Sequence, residues 1–352
     1  MGNTWSIRPY QKGDEQGIVE LFEEVFDKPM GITESLKHWR WEFEQNPVGD
    51  KYIHLAVDDG DIVGQYAVIP MRMLVMGQES IGSLSLDTMV HPDYQGQGMF
   101  VELANSLYSR LSDSGISITY GFPNKNSMHG IFQRLDWKEI CEMPILIRPV
   151  DFDRSLEKLW GPGVKSKIGS FLGKKYYDIK HKPAKLPEDL RVEKVEKFNG
   201  VDDLWRTVTN GVKIGAVRDQ KYFDWRFVDK PEFDYQIYLL RKGDSSLGYL
   251  VTGTMDYWDM KVIFILDLLT EGSEYAKYLI SERIKMAEDE AVICGLGPVF
   301  GPYKDLGFVS LSKEEFPQEI YFGARRNTGS IPFEVFSDKN KWMLSWADTD
   351  VV

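Results

Sequence analysis

The sequence predicts an α/β (α+β) protein in which one fold occurs twice. Strand and helix patterns alternate along the chain, and a glycine turn joins a strand to an amphipathic helix at 90–111. Motifs of the first half also recur in the second. With 352 residues, 43% hydrophobic and 27% charged, the chain has the length and the balance for two packed cores.

Residues 5–10 (W-S-I-R-P-Y) read as a strand. Gly13-Asp14-Glu15 then opens a helix whose apolar stripe is Ile18, Val19, Leu21, Phe22 and Phe26. A second helix is predicted from Thr33 to Gln45, stopped by Pro47. Strands come next at Tyr52 to Val57 and Ile62 to Met73, joined through D-D-G-D, and then at Ile81 to Val90. A helix with Met99, Phe100, Leu103, Leu107 and Leu111 comes after them, then a strand at Ile116 to Phe122. Asn126 is placed to cap a helix through Phe132, and a last strand pair begins at Trp137.

The turn into the central helix reads V-H-P-D-Y-Q-G-Q-G-M-F. Glycine tolerates tight turns and close approach of a ligand to the backbone. The helix start beyond it offers unpaired N–H groups and a positive dipole end. Such a junction suits a pyrophosphate, although a lone G-x-G also closes ordinary turns. Q-G-Q-G after V-x-P-x-Y resembles motif A of the GNAT acyltransferases, Q/R-x-x-G-x-G/A, with Gln95 and Gly98 in its first and fourth positions. Phe100 departs from it, standing where that family usually has Gly or Ala.

The resemblance implies a mixed, mostly antiparallel sheet flanked by helices in each half. It also implies acyl-CoA, expected as acetyl-CoA, held by Met89, Val90, Gln95, Gly96, Gln97, Gly98, Met99 and Phe100, with Asn126 reaching toward the CoA arm.

The second half tracks the first at a fixed offset. W-E-F-E-Q-N-P at Trp41 returns as W-R-F-V-D-K-P at Trp225, and the same step carries Ile53 to Ile237, Leu55 to Leu239 and Gly64 to Gly248. Leu86-Asp87 matches Leu266-Asp267, and L-D-W at Leu135 matches L-G-F at Leu306. The glycine turn is not repeated: E-G-S-E-Y-A-K stands in its place. The expected organisation is therefore a GNAT domain over 1–149, a basic linker over 150–190, and a GNAT-like domain over 191–352 with a C-terminal extension and no CoA motif. The linker is rich in lysine and carries Leu156, Leu159, Trp160, Ile168, Phe171 and Leu172. Gly161-Pro162-Gly163 breaks any single helix, which favours a linker packing its apolar stripe between domains over a 154–185 segment lying on an anionic membrane.

Acyl transfer to an amine requires a positioned thioester and amine, removal of a proton, and a stabilised oxyanion. Asp87, at the end of the strand before the turn, is the expected base or amine-binding carboxylate; a turn-holding Asp is the alternative, supported by Asp267 at the matching place. Phe132 falls where the family often has an acid Tyr, leaving Ser127 and His129 as substitutes. In W-M-L-S-W-A-D-T-D, Asp348 and Asp350 beside Trp342 and Trp346 are candidates for holding a cationic acceptor.

The net charge of −12 argues against nucleic acid as a partner. Cys141 and Cys294 are the only cysteines, which suits a reducing, cytoplasmic setting, and five histidines without H-x-x-x-H argue against a metal. No apolar run is long enough for a membrane span. M-G-N-T-W-S matches the short myristoylation pattern, but Trp5 onward reads as core strand.

The expected function is acyl-CoA-dependent N-acyl transfer to a small-molecule primary amine, with an amino sugar favoured and aminoglycoside or peptide amines as alternatives. Aminoacyl transfer from charged tRNA and a non-catalytic CoA-binding scaffold are the rivals. The sequence leaves the oligomeric state open.

Overall fold

In the computed structural model, residues 4–26, 31–231, 233–257, 259–297, 301–310, 320–329 and 331–349 are described. Gly2 of the lipidation pattern and Asp350 lie outside them. The chain begins β1 (Ser6–Pro9), α1 (Glu15–Phe26), α2 (Ile32–Phe43), β2 (Tyr52–Asp58), β3 (Asp61–Val75), β4 (Gln78–Val90), α3 (Met99–Asp113), β5 (Ile118–Gly121), α4 (Lys125–Arg134) and β6 (Lys138–Glu142), in the predicted order. Next come β7 (Ile145–Pro149), α5 (Phe152–Trp160) and α6 (Val164–Lys180). The second half gives β8 (Leu190–Val195), α7 (Val201–Val208), β9 (Ile214–Ala216), α8 (Gln220–Phe223), β10 (Gln236–Lys242), β11 (Ser245–Tyr257), β12 (Met260–Thr270), α9 (Ser273–Lys285), β13 (Val292–Leu296), α10 (Gly301–Asp305), β14 (Val309–Ser310) and β15 (Tyr321–Arg326).

These strands make two mixed sheets, ordered β1-β2-β3-β4-β5-β15-β6 and β8-β10-β11-β12-β13-β7-β14, with β9 added to β3. Neighbours along both orders run antiparallel except β4–β5 and β12–β13. The first sheet is covered on both faces, so β3 is apolar along most of its length rather than alternating. Met99, Leu103, Leu107 and Leu111 of α3 pack with Ala56, Tyr66 and Val68 on one face. Ile18, Val19 and Leu21 of α1 and Trp39, Trp41 and Phe43 of α2 pack with Ile53, Leu55 and Ile69 on the other. Each Leu, Ile, Val, Met or Phe among them contributes about 1.5–3 kcal/mol on burial.

The sheets exchange a strand. β7 precedes the linker in sequence but pairs with β13 and β14, and β15, near the end of the chain, sits between β5 and β6. The expected strand pair after Trp137 is therefore divided between the two sheets, and neither a cut at 149 nor one at 190 separates them. Trp41 and Trp225, equivalent in the repeat, stack with centroids 5.0 Å apart. Each indole N–H donates to the other's backbone carbonyl, at 2.7 and 2.9 Å. Such reciprocal contacts are what a two-fold relation between two copies produces.

Residues 150–190 depart from the expected packing. Gly161-Pro162-Gly163 does break the helix, giving the pair α5 and α6, but Ile168, Phe171 and Leu172 face solvent instead of a domain interface. The tryptophan-rich end is docked: Trp342 and Trp346 are both fully buried, and the Trp342 indole donates to the Phe336 carbonyl at 2.9 Å.

Candidate acyl-transfer site

β4 and β5 pair only over Ser83–Ser85 and Thr119–Gly121. Beyond Gly121 the chain leaves for Phe122-Pro123-Asn124 and α4, so the two strands part. On its other side β4 carries a bulge, where Asp87 and Thr88 together oppose Tyr66 of β3. Asp87 takes φ 45°, a left-handed conformation that costs a non-glycine residue about 1–2 kcal/mol. Gln65, with no exposed surface, donates from Nε2 to the Asp87 carbonyl at 2.9 Å and pins the bulge. Sparsely populated backbone conformations held by surrounding structure cluster at functional sites.

The parting strands leave a cleft of about 190 Å³. Ser85, Leu86, Asp87 and Thr88 form one wall and Gly121 to Asn124 with Ser127 the other, while Phe22, Phe26, Ile131 and Trp137 supply apolar surface. Ser85 Oγ donates to the Tyr66 hydroxyl at 3.3 Å; that hydroxyl meets Tyr108 at 2.5 Å, and Tyr108 accepts from the Trp137 indole at 2.7 Å. Burial pushes both tyrosines above their ordinary range, and for Tyr66 the bonds from Ser85 and Tyr108 only partly oppose it. The chain thus stays neutral, with Ser85 as its member in the cleft wall.

Past the bulge, the His91 amide donates to the Val63 carbonyl at 3.0 Å, and Pro92–Tyr94 make one 3₁₀ turn. The Tyr94 hydroxyl donates to Asp58 at 2.7 Å, and Gln95 Nε2 to the Val90 carbonyl at 3.3 Å. Gly96 and Gly98 have φ of 76° and 88°. A β-carbon built on either would meet nothing within 4 Å, so left-handed backbone, and not crowding, calls for glycine here. Residues 95–98 are exposed, and Gly98 caps α3. An open, left-handed loop at the start of a long helix fits an anion such as a pyrophosphate.

Not every expected residue faces this site. Met89 and Met99 have buried side chains, so only their backbone can serve a ligand; Met99 Sδ would lie 2.5 Å from a β-carbon at Gly64. The half-buried Phe100 ring lies edge-on to Tyr66 at 5.8 Å and against α4, where it would touch a β-carbon at Gly130 at 3.2 Å. Phe132 packs over Gly323 of β15. The cap of α4 is Asn124, whose Oδ1 accepts from the Ser127 amide at 3.0 Å, and Asn126 sits inside the helix. His129 is exposed and is not among the residues lining the cleft.

Asp348 is corrected most clearly. It is 1% exposed and accepts from Arg218 at 2.7 Å, while Arg218, fully buried, also reaches Asp267 at 3.1 Å. Tyr249 and Ser345 donate to the same Asp267 carboxylate at 2.8 and 3.0 Å. The Asp348 carboxylate therefore anchors the turn at 345–348 inside the protein, with no face toward an acceptor. Arg218 carried no local signal, but Gln65 stands in the apolar run Ile62 to Met71 and could have been singled out on that ground.

Residues 6–140 match the family described as Acetyltransferase (GNAT) domain. No curated protein matches the sequence. The fold is similar to that of a GCN5-related N-acetyltransferase from Anabaena variabilis, with TM-score 0.67 and 14% identity over 92% of this chain and 73% of that one. A GCN5-related N-acetyltransferase from Kribbella flavida gives TM-score 0.60 and 11% identity over 92% and 71%. Saccharomyces cerevisiae N-myristoyltransferase, solved with bound myristoyl-CoA, gives 0.61 and 11% over 94% and 85%. At such identities the likeness is one of fold.

Proposed function

Taking residues 6–140 as the GNAT acetyltransferase domain that they match, we propose that the chain is an acyl-CoA-dependent N-acyltransferase with one donor site, in its N-terminal half. The observation that carries this reading is the open Gly96–Gly98 loop at the start of α3, reached along the same strand that parts from β5. The thioester, when bound, supplies the acyl group and a thiol leaving group. Residues 95–100 would hold the pyrophosphate through backbone N–H groups, and the backbone of β4 beyond Asp87 would be the strand along which the arm is held. Acetyl-CoA is the favoured donor.

Asp87, in the cleft wall, attracts the ammonium of a primary amine and takes up its proton before attack, directly or through water. The aromatic lining from Phe22, Phe26, Phe122 and Trp137 suits an acceptor with an apolar or sugar face, an amino sugar in our reading. A thiol leaves as thiolate without help from a strong acid, so Phe132 in place of a tyrosine is compatible with turnover.

Calorimetric titration with acetyl-CoA should saturate near one equivalent per chain; two would refute the single site. Thiol release over amino sugars, aminoglycosides, polyamines and peptide amines should identify the acceptor, with kcat/KM rising toward the amine's own pKa. Asp87→Asn should lower kcat by about tenfold to a hundredfold with a smaller change in KM. Donor binding with no thiol release from any amine would leave a CoA-binding protein without catalysis, the reading that Phe100 against α4 favours.

A further inference from the structure

Helix α6 is built with its polarity inverted. Ser166, Ser170, Gly173 and Tyr177, spaced so as to share one side of a helix, face the protein. Ser170 Oγ donates to the Phe152 carbonyl at 2.9 Å, the Tyr177 hydroxyl to the Gly307 carbonyl at 2.7 Å, and a β-carbon at Gly173 would crowd Phe152 at 2.9 Å. The opposite side carries Val164, Ile168, Phe171, Leu172, Tyr176 and Ile179, each 54% to 74% exposed. Surface helices of a globular protein place such residues inward, and a contiguous exposed apolar stripe marks an interaction surface.

The charge around the stripe names the partner. Residues 154–185 hold nine Lys or Arg against two Asp or Glu, in a chain whose net charge is −12. On α6 itself, Lys165, Lys167, Lys174, Lys175 and Lys180 flank or interleave with the apolar side chains, and Asp178 is the helix's sole carboxylate. No helix of the described residues is long and apolar enough to cross a membrane. We propose that α6 lies in the plane of an anionic lipid surface, its apolar stripe at the headgroup–acyl boundary and its lysines on the lipid phosphates. An acidic protein is repelled by such a surface everywhere except at a basic patch, so the local charge fixes the docking face.

The full chain should sediment with vesicles of phosphatidylglycerol mixed with phosphatidylcholine, and far less with phosphatidylcholine alone. Lys174→Glu/Lys175→Glu should weaken vesicle binding by about tenfold or more, and added salt should do the same to the wild type. Phe171→Asp/Leu172→Asp should abolish it. These positions are exposed, and unchanged circular dichroism would show that the variants fold. Equal binding to both vesicle types, no binding to either, or binding indifferent to the variants would overturn the proposal. A concentration-dependent dimer lost in Phe171→Asp/Leu172→Asp, without vesicle binding, would assign the stripe to a second copy and overturn it equally.

Discussion

The two sheets share a strand order position by position, yet the connection leaving the fourth strand differs between them. After β4 the chain takes the stretch 91–98, exposed over 95–98 and with two left-handed glycines, before α3 begins. After β12 it takes only Glu271-Gly272 before α9, and Gly272 has an ordinary extended backbone at φ −150°. Both strands carry a bulge beside an aspartate. Asp87 lines a cleft, whereas Asp267 is buried and committed to Arg218 and Tyr249. The lesson is that sheet order and bulge recur in both halves, while the loop leaving the strand and the burial of its aspartate differ; on the function proposed above, those two differences decide which half holds a ligand.

The strongest test of that contrast is Arg218→Ala. It strips two buried carboxylates, Asp267 and Asp348, of their cation and should destabilise the protein by about 3–5 kcal/mol in urea unfolding. A loss below 1 kcal/mol, on the order of a surface ion pair, would mean that Arg218 does not commit Asp267 to the fold as the contrast requires.

Next in size, Gly98→Asp puts a carboxylate and a strained backbone where a pyrophosphate would lie. It should weaken acetyl-CoA binding by about a hundredfold or more. Gly272→Asp, at the matching junction, should leave binding unchanged in the same calorimetric titration. Equal losses would mean that the two junctions are not functionally distinct.

The smallest effect concerns His54 on β2, whose repeat equivalent on β10 is Tyr238. Burial, with Arg110 second, pushes His54 down to about 4. The unfolded state then takes up a proton below pH 6.5 that the folded state refuses, so stability is full above that pH and falls as pH drops toward 4. Between pH 7 and 6 this one group should cost somewhat under about 1 kcal/mol, read as a falling urea midpoint. His54→Asn should flatten the decline in part, leaving the share of His38, likewise pushed down to about 4 by burial. An unchanged slope would remove the difference between the two sheets at this position.

Much of this was legible in the sequence because its signals are local. The stripe Met99-Leu103-Leu107-Leu111 sets one face of α3, Gly96 and Gly98 mark left-handed backbone, and Trp41 with Trp225 reveals the repeat. The features that stayed hidden depend on distant pairing. Nothing in Tyr321–Arg326 states that its partners are Ile118–Gly121 and Lys138–Glu142, and nothing near Asp348 announces Arg218. Asn124 and Asn126 compete for one cap, and two residues of register decide between them. The stripe of α6 was visible, but its direction was not, since periodicity gives a face without saying what it meets.

The exchange of β7 and β15 has a bearing on synthesis. While a ribosome is still making the second half, β5 and β6 have no strand between them, and their facing backbone edges stay unpaired until residues 321–326 emerge. Pairing across some two hundred residues must wait until both partners have been made, which puts this step among the slow, non-local ones. During that interval the open edges invite strands from other nascent chains. Chaperone dependence, and aggregation on overexpression, should therefore track β15 more closely than any residue of the cleft.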